Sequence, residues 1–164
     1  MSARVALVMG GGAGTGRATA LAFARSGSHV VVADIKEDKA EQTRELIEEA
    51  GGKAVAVAAN MGLADDIARV METCQSAFGG LHQVSNNAAQ AAPNKPVTEL
   101  SEAEWDRCLG ITLKGVWLCM KYQLPLIEAS GGGAIVNIAS VSGIRGEVLQ
   151  SAYAAAKGGV ITLT

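Results

Sequence analysis

Tyr153 and Lys157 stand four residues apart, a spacing that puts both side chains on one face of a helix. An ammonium held that close to a phenol favours the phenolate, which equips the tyrosine to take up and return a proton as a general acid/base. The same spacing also occurs on plain solvated helix faces, so the neighbouring sequence decides between the two. Just upstream, Ala134 to Ala139 reads as a short apolar strand running into Ser140, Val141, Ser142 and Gly143. A serine at the C-terminal end of a parallel strand faces the crevice where ligands bind, so Ser140 either donates to a substrate carbonyl or caps its own turn. No histidine and acid follow it in triad order and no GxSxG elbow surrounds it, which argues against a serine hydrolase.

A second chemistry-bearing group lies near the N-terminus, where Val5 to Met9 runs into Gly10, Gly11, Gly12, Gly14 and Gly16. Gly11 to Gly16 has the span of a P-loop, but Arg17 and Ala18 stand where the lysine and the magnesium-binding hydroxyl belong, so NTP hydrolysis is disfavoured. The GxGxxG fingerprint occurs in no register. GxxxGxG does occur, at Gly10, Gly14 and Gly16, as does GxGxG at Gly12, Gly14 and Gly16. Either spacing lets backbone approach a nucleotide while the first helical turn offers unpaired N–H groups to its oxygens, although a tight turn alone also uses such glycines. Asp34 closes the β-branched run His29 to Ala33, eighteen positions after Gly16. An acid there can accept both hydroxyls of a ribose and would repel a 2'-phosphate, or it serves simply as a turn or cap residue.

The elements that must position these groups alternate along the chain. A helical pattern over Thr15 to Ser26 follows the first strand, and Asp38 to Ala50 is an amphipathic helix with Ala40, Thr43, Ile47 and Ala50 on one face. Lys53 to Ala58 is a third strand, Asp65 to Phe78 a third helix striped by Ile67, Val70, Met71, Cys74 and Phe78, and His82 to Asn86 a fourth, more polar strand. Ser101 and Glu104 form a capping box that starts a helical pattern broken near Gly110 and running to Pro125. The tail after Gly158 and Gly159 fits either a capped helix followed by a strand or one continued helix. Strands apolar on both faces, alternating with helices, imply an α/β fold, a parallel sheet covered on both sides. Residues 1–164 read as a single domain.

Composition narrows the partners. The 164 residues carry 14 Lys+Arg against 16 Asp+Glu, a formal charge of -2, which gives no field to attract nucleic acid or anionic lipid. Cys74, Cys108 and Cys119 are odd in number and lack CxxC spacing, and His29 and His82 lie far apart, so reduced buried thiols and no metal site are expected. With no signal-like apolar stretch and no run long enough to span a bilayer, a soluble cytoplasmic protein is expected.

Taken together, Gly10-x3-Gly14-x-Gly16, Asp34, Asn86-Asn87-Ala88-Ala89, Ser140 and Tyr153-x3-Lys157 resemble the short-chain dehydrogenase/reductase family, in order and through the whole chain. The resemblance implies a doubly wound, Rossmann-like parallel sheet in strand order 3-2-1-4-5, NAD as cofactor and an alcohol or carbonyl compound as substrate. Tyr153 would be the acid/base, Lys157 its electrostatic partner and a ribose ligand, and Ser140 the residue that orients the carbonyl. Cofactor contacts would come from Gly10, Gly14, Thr15, Gly16, Asp34, Asn60, Met61, Asn86, Ala88, Tyr153 and Lys157. Thr112 stands where the family has an asparagine that holds a proton-relay water, and its hydroxyl and carbonyl would keep part of that role. Met9, Thr15, Asn60, Met61 and Ala89 are further departures from the family pattern.

Family members continue beyond the position of Thr164 with two more strands and a substrate-covering loop. The resemblance therefore implies that the C-terminal strands are missing and that this chain is part of a longer protein, homo-oligomeric in its full-length form. An S-adenosylmethionine-dependent methyltransferase, which also uses GxGxG and a strand-terminal acid, is the first rival reading. A nucleotide-binding module without catalysis is the second.

Overall fold

The computed structural model describes residues 3–164. Its strands are β1 (Val5–Met9), β2 (His29–Asp34), β3 (Ala54–Ala58), β4 (Gln83–Asn86) and β5 (Ala134–Asn137). The helices are α1 (Gly14–Arg25), α2 (Glu37–Glu49), α3 (Ala64–Phe78), α4 (Glu102–Leu109), α5 (Gly115–Ala129) and α6 (Ser151–Leu163). A π-helical turn, Gly110–Lys114, joins α4 to α5, and a short 3-10 turn, Val141–Gly143, follows β5.

All strand pairs are parallel, in the order β3-β2-β1-β4-β5 that the family resemblance implies. The register lines up the functional ends: Met9 lies beside both Ala33 and Asn86, Asp34 beside Ala58, and Asn86 beside Asn137. Chain order runs one way from β1 through β2 to β3 and the other way through β4 to β5. That reversal opens a crevice at the carboxyl ends of β1 and β4, the place where open α/β sheets bind ligands.

The pleat sends alternate residues of one strand into two different cores. Leu7 and Met9 of β1, with Val31 of β2, pack against Ile67 and Cys74 of α3 and Val116 and Cys119 of α5. Ala6 and Val8, with Val30 and Val32, pack against Ala20 of α1 and Ala40 and Ile47 of α2. The capping box at the start of α4 is present as expected, Ser101 and Glu104 each accepting the other's backbone N–H. β3 and β5 are the two edge strands of the sheet, and Val136 of β5 is 56% exposed. No helix among the described residues is long and apolar enough to cross a membrane.

Two expectations from sequence need correction, and one open alternative is resolved. Helix α5 does not stop at Pro125 but runs to Ala129. Pro125 and Lys121 both face solvent, so the Lys121 carbonyl that loses its donor can be hydrated while Ile127 still reaches the core. Ala50 leaves the buried stripe of α2, because it is already the C-terminal cap. The tail is not a strand: Gly158, Gly159 and the β-branched residues after them continue α6 through Leu163, with Val160 fully buried.

Candidate active site

The peptide turn between β1 and α1 is shaped by contacts that only glycine allows. A Cβ on Gly16 would lie 1.9 Å from the Gly10 carbonyl oxygen, so α1 can approach β1 this closely only without a side chain there. Helix α1 starts without any side-chain cap on its first turn, leaving those backbone N–H groups available at the crevice. Asp34 projects from the end of β2 toward this loop. Its Oδ2 accepts from the Gly12 N–H at 2.9 Å and its Oδ1 from the Lys36 N–H at 3.0 Å. A carboxylate has about four acceptor positions, so both oxygens retain capacity for a ligand's hydroxyls.

A cleft of about 360 Å³ opens beside Asp34. Of the residues singled out in the sequence it brings together Gly10, Asp34, Asn60, Met61 and Ala88, with Ile35, Asn87 and Gln90 as further walls. Gly14, Thr15 and Gly16 stand outside this lining, at the first turn of α1, where Thr15 is exposed and its carbonyl accepts from the Thr19 hydroxyl. Asn60 is held by Asp66, in the first turn of α3: Asp66 accepts its N–H at 2.8 Å, while the Asn60 side-chain oxygen accepts from Gly62. That backbone bond, helped by Arg69, holds the Asp66 carboxyl below its ordinary range.

Asn86 does not line the cleft. Its amide is exchanged with that of Gln123 at 2.8 and 3.1 Å and also donates to Asn137 at 2.9 Å, all in the buried seam between β4, β5 and α5. The neighbouring Asn87 faces the crevice instead, donating to the Gly10 carbonyl. Strand pleating decides this: consecutive residues at the end of β4 point to opposite sides, and two adjacent asparagines cannot be told apart by type.

Thr112 is fully buried in the π-helical turn. Its hydroxyl donates to the Gln90 carbonyl at 2.9 Å and accepts from the Gln90 N–H at 3.0 Å. A hydroxyl has one proton, and this one is given to Gln90. Thr112 therefore clamps the cleft wall that follows β4, a use of its hydroxyl different from the proton relay expected for it.

Lys157 is 2% exposed, and its Nζ donates to the carbonyl of Ile138, the residue just after β5. Nζ also sits 5.8 Å from the centre of the Tyr153 ring, and its bond to Ile138 places the pair at the carboxyl end of β5; Tyr153, Lys157 and Ser140 do not line the cleft beside Asp34. Burial holds the ammonium below the usual lysine range, with nearby Cys108 acting in the opposite direction. Cys108, itself buried, packs with Ala152 and Ala156 beside Tyr153, and its thiol feels both the Thr112 hydroxyl and the Lys157 charge. The 3-10 turn after Ser140 is pressed onto α6: a Cβ on Gly143 would lie 2.6 Å from the backbone of Lys157. Ser140 caps that turn, accepting from the Ser142 N–H at 3.2 Å, and so is held next to the Tyr153–Lys157 helix. Gln90 and Gln123 escaped the sequence reading, while Asn87, Cys108 and Gly143 were in view there but not singled out as parts of the site. Only Asn87 and Gly143 carried a signal, standing inside motifs already in view.

An open sheet whose order reverses at the strand bearing the glycine loop defines the class as a doubly wound, Rossmann-like domain. Within that class the short chain dehydrogenase family model matches residues 4–164, and the chain belongs to that family. It is 42% identical over 161 residues to cyclohexanol dehydrogenase of Acinetobacter sp. (strain SE19), covering 98% of this chain and 64% of that protein. Among solved structures, levodione reductase superposes with a TM-score of 0.95 at 33% identity, covering 100% of this chain and 64% of the other. NAD+-bound xylitol dehydrogenase superposes with a TM-score of 0.96 at 27% identity, covering 99% and 63%. The chain thus spans under two thirds of the length of these relatives.

Proposed function

We propose that this chain carries the NAD(H)-binding and proton-transfer machinery of an oxidoreductase acting on a secondary alcohol or its ketone. The observation that carries the reading is the buried Lys157 ammonium beside the Tyr153 ring, at the same carboxyl edge of the sheet as the Asp34 cleft. The residues present fit a dinucleotide. Gly16 lets the first turn of α1 close on β1, where a Cβ would meet the Gly10 carbonyl, and the cleft beside Asp34 falls within the size range of small-ligand sites. Asp34 would hold the adenosine ribose, and its negative charge favours NAD(H) over the 2'-phosphorylated form.

Bound there, the nicotinamide supplies hydride exchange. The chain's own residues align the substrate and handle its proton. Tyr153 would exchange a proton with the substrate oxygen, with the Lys157 ammonium held beside its ring. Ser140 would donate to the same oxygen. Thr112 fixes the Gln90 wall of the cleft through its hydroxyl. The similarity to cyclohexanol dehydrogenase, with Val141 and Ile144 exposed beside Ser140, makes apolar ring alcohols the first substrates to try. Trp117, 45% exposed on α5, with Leu113 and Leu163 nearby, offers an apolar face suited to a homo-oligomer, which light scattering would read directly.

The test is a fluorescence titration with NADH, NADPH and S-adenosylmethionine, followed by NAD+ reduction over a panel of alcohols beginning with cyclohexanol. NADH binding tighter than NADPH, with turnover of an alcohol, is expected. Binding of S-adenosylmethionine in place of NADH would favour a methyltransferase. Dinucleotide binding without turnover of any alcohol or ketone would favour a non-catalytic module.

A further inference from the structure

Behind the glycine loop, outside the cleft, lies a polar chain that neither the proton transfer nor the cleft lining uses. Thr43, in the middle of α2, is a fully buried hydroxyl in an otherwise apolar stripe with Ala40 and Ile47. Its Oγ1 accepts from Nε of Arg17 at 3.0 Å and lies 3.0 Å from the Gly11 carbonyl and 3.2 Å from that of Lys39. The Lys39 carbonyl lies one turn back in the same helix and is already served by the helical ladder, whereas a buried Gly11 carbonyl needs a donor. The single hydroxyl proton is therefore assigned to Gly11.

The other end of that same peptide unit is the N–H of Gly12, which donates to Asp34 Oδ2. In a trans peptide the carbonyl and N–H point in opposite directions, so a donor fixed at the Gly11 carbonyl aims the Gly12 N–H at the carboxylate. The result is one continuous chain: Arg17 guanidinium, Thr43 hydroxyl, the Gly11–Gly12 peptide, Asp34 carboxylate. A cation ends it on one side and an anion on the other, and each bond polarises the next in the same sense. Arg17 also secures the following peptide, donating from its terminal nitrogen to the Gly12 carbonyl at 2.5 Å. A peptide between two glycines has no side chain to bias it and flips more readily than any other. Flipped, it would turn a carbonyl oxygen toward Asp34 in place of a donor.

We infer that Thr43 and Arg17, neither of which lines the cleft, are positioning residues for dinucleotide selectivity: they hold the Asp34 carboxylate in its ribose-binding orientation through the Gly11–Gly12 peptide. The inference rests on the dinucleotide reading above and adds to it the residues that set the choice between a 2'-hydroxyl and a 2'-phosphate. A simple brace between α1 and α2 would use the same two side chains for stability alone, and the two roles separate on the ratio of two affinities.

The experiment measures NADH and NADPH dissociation constants, with thermal unfolding alongside, for the unsubstituted protein, Thr43→Val and Thr43→Ser. Thr43→Val keeps the shape and removes the hydroxyl. It should weaken NADH about fivefold, the size of one buried hydrogen bond, while NADPH changes by less than about twofold. The preference for NADH therefore narrows, and Thr43→Ser restores it. Arg17→Lys keeps the charge but cannot serve Thr43 and Gly12 together, and should narrow the preference in the same way, which keeps the test in hand should Thr43→Val fail to fold. A variant that folds and binds both dinucleotides with an unchanged ratio, whatever its melting temperature, overturns the inference while leaving the dinucleotide reading intact. An unsubstituted protein that binds neither dinucleotide overturns both.

Discussion

Replacing Gly16 by alanine is a sharp physical test of the glycine loop, because two effects of opposite sign compete. In the first turn of α1, alanine is a better helix former than glycine by about 1 kcal/mol, so on propensity alone the variant would be more stable. The added methyl, however, would sit 1.9 Å from the Gly10 oxygen and 2.9 Å from Asn87 Nδ2. Carbon contacts are comfortable near 3.5 Å, so α1 must retreat from β1 by roughly 1.5 Å. The obstacle is backbone and cannot swing aside, which places the cost near the top of the overpacking range, about 3 kcal/mol. The net loss of about 2 kcal/mol corresponds to a fall in Tm of roughly 4–8 °C for a domain of this size. Circular dichroism melting would read it, and NADH titration would show weaker binding because the loop's peptides move with the helix. Gly14→Ala is the control. Its Cβ meets nothing within 4 Å, but a φ of +52° charges alanine about 1–2 kcal/mol without displacing α1, so a smaller drop in Tm is expected. A Gly16→Ala protein that melts at or above the original temperature would refute the packing argument.

Thr112→Val leaves both backbone groups of Gln90 without their partner and should cost about 1–3 kcal/mol and weaken NADH, while Thr112→Ser keeps both properties; equal losses in the two variants would contradict the clamp. Glu104 is held down at about 2, first by Lys95 and then by the N–H and hydroxyl of Ser101. A carboxyl lowered on folding stabilises fully above its unfolded value of 4.5, and that contribution fades as the pH falls toward about 2. The Tm gap between the protein and Glu104→Gln should therefore close between pH 4.5 and about 2, and a gap constant with pH would rule this out. Burial pushes the thiols of Cys74 and Cys119 up to about 12 and raises Cys108 as well. The folded protein at pH 8 should be inert to a thiol-reactive dye and label at all three cysteines once unfolded; rapid labelling in the folded state would contradict it.

The parts of the fold that repeat over many residues were legible in the sequence: five strands and the buried stripes of α2 and α3, while the order of the strands came from the motifs taken together. The ends of β1 and β2 were also located, but a glycine run and a lone acid there serve turns and caps as well, and it is the fold that sets Asp34 against the Gly12 N–H. Local propensity failed where packing overrode it. Val160 to Leu163 has the composition of a strand, yet Val160 is needed in the core under α6 and the helix carries through two glycines. Asn86 and Asn87 were inseparable by type, and only the pleat of β4 sends one to Gln123 and the other to the cleft. The partnership of Gln90 with Thr112, and of Thr43 with Gly11, joins residues 22 and 32 positions apart through backbone groups, which leave no trace in residue identity.

Tyr153→Phe under saturating NAD+ and a turned-over alcohol bears most directly on the proton-transfer role. Loss of the hydroxyl alone should lower turnover by about 10²–10⁴-fold while the NADH dissociation constant stays where it was. Turnover retained by the phenylalanine variant would show that another group handles the proton and that the buried lysine beside the ring serves the fold instead.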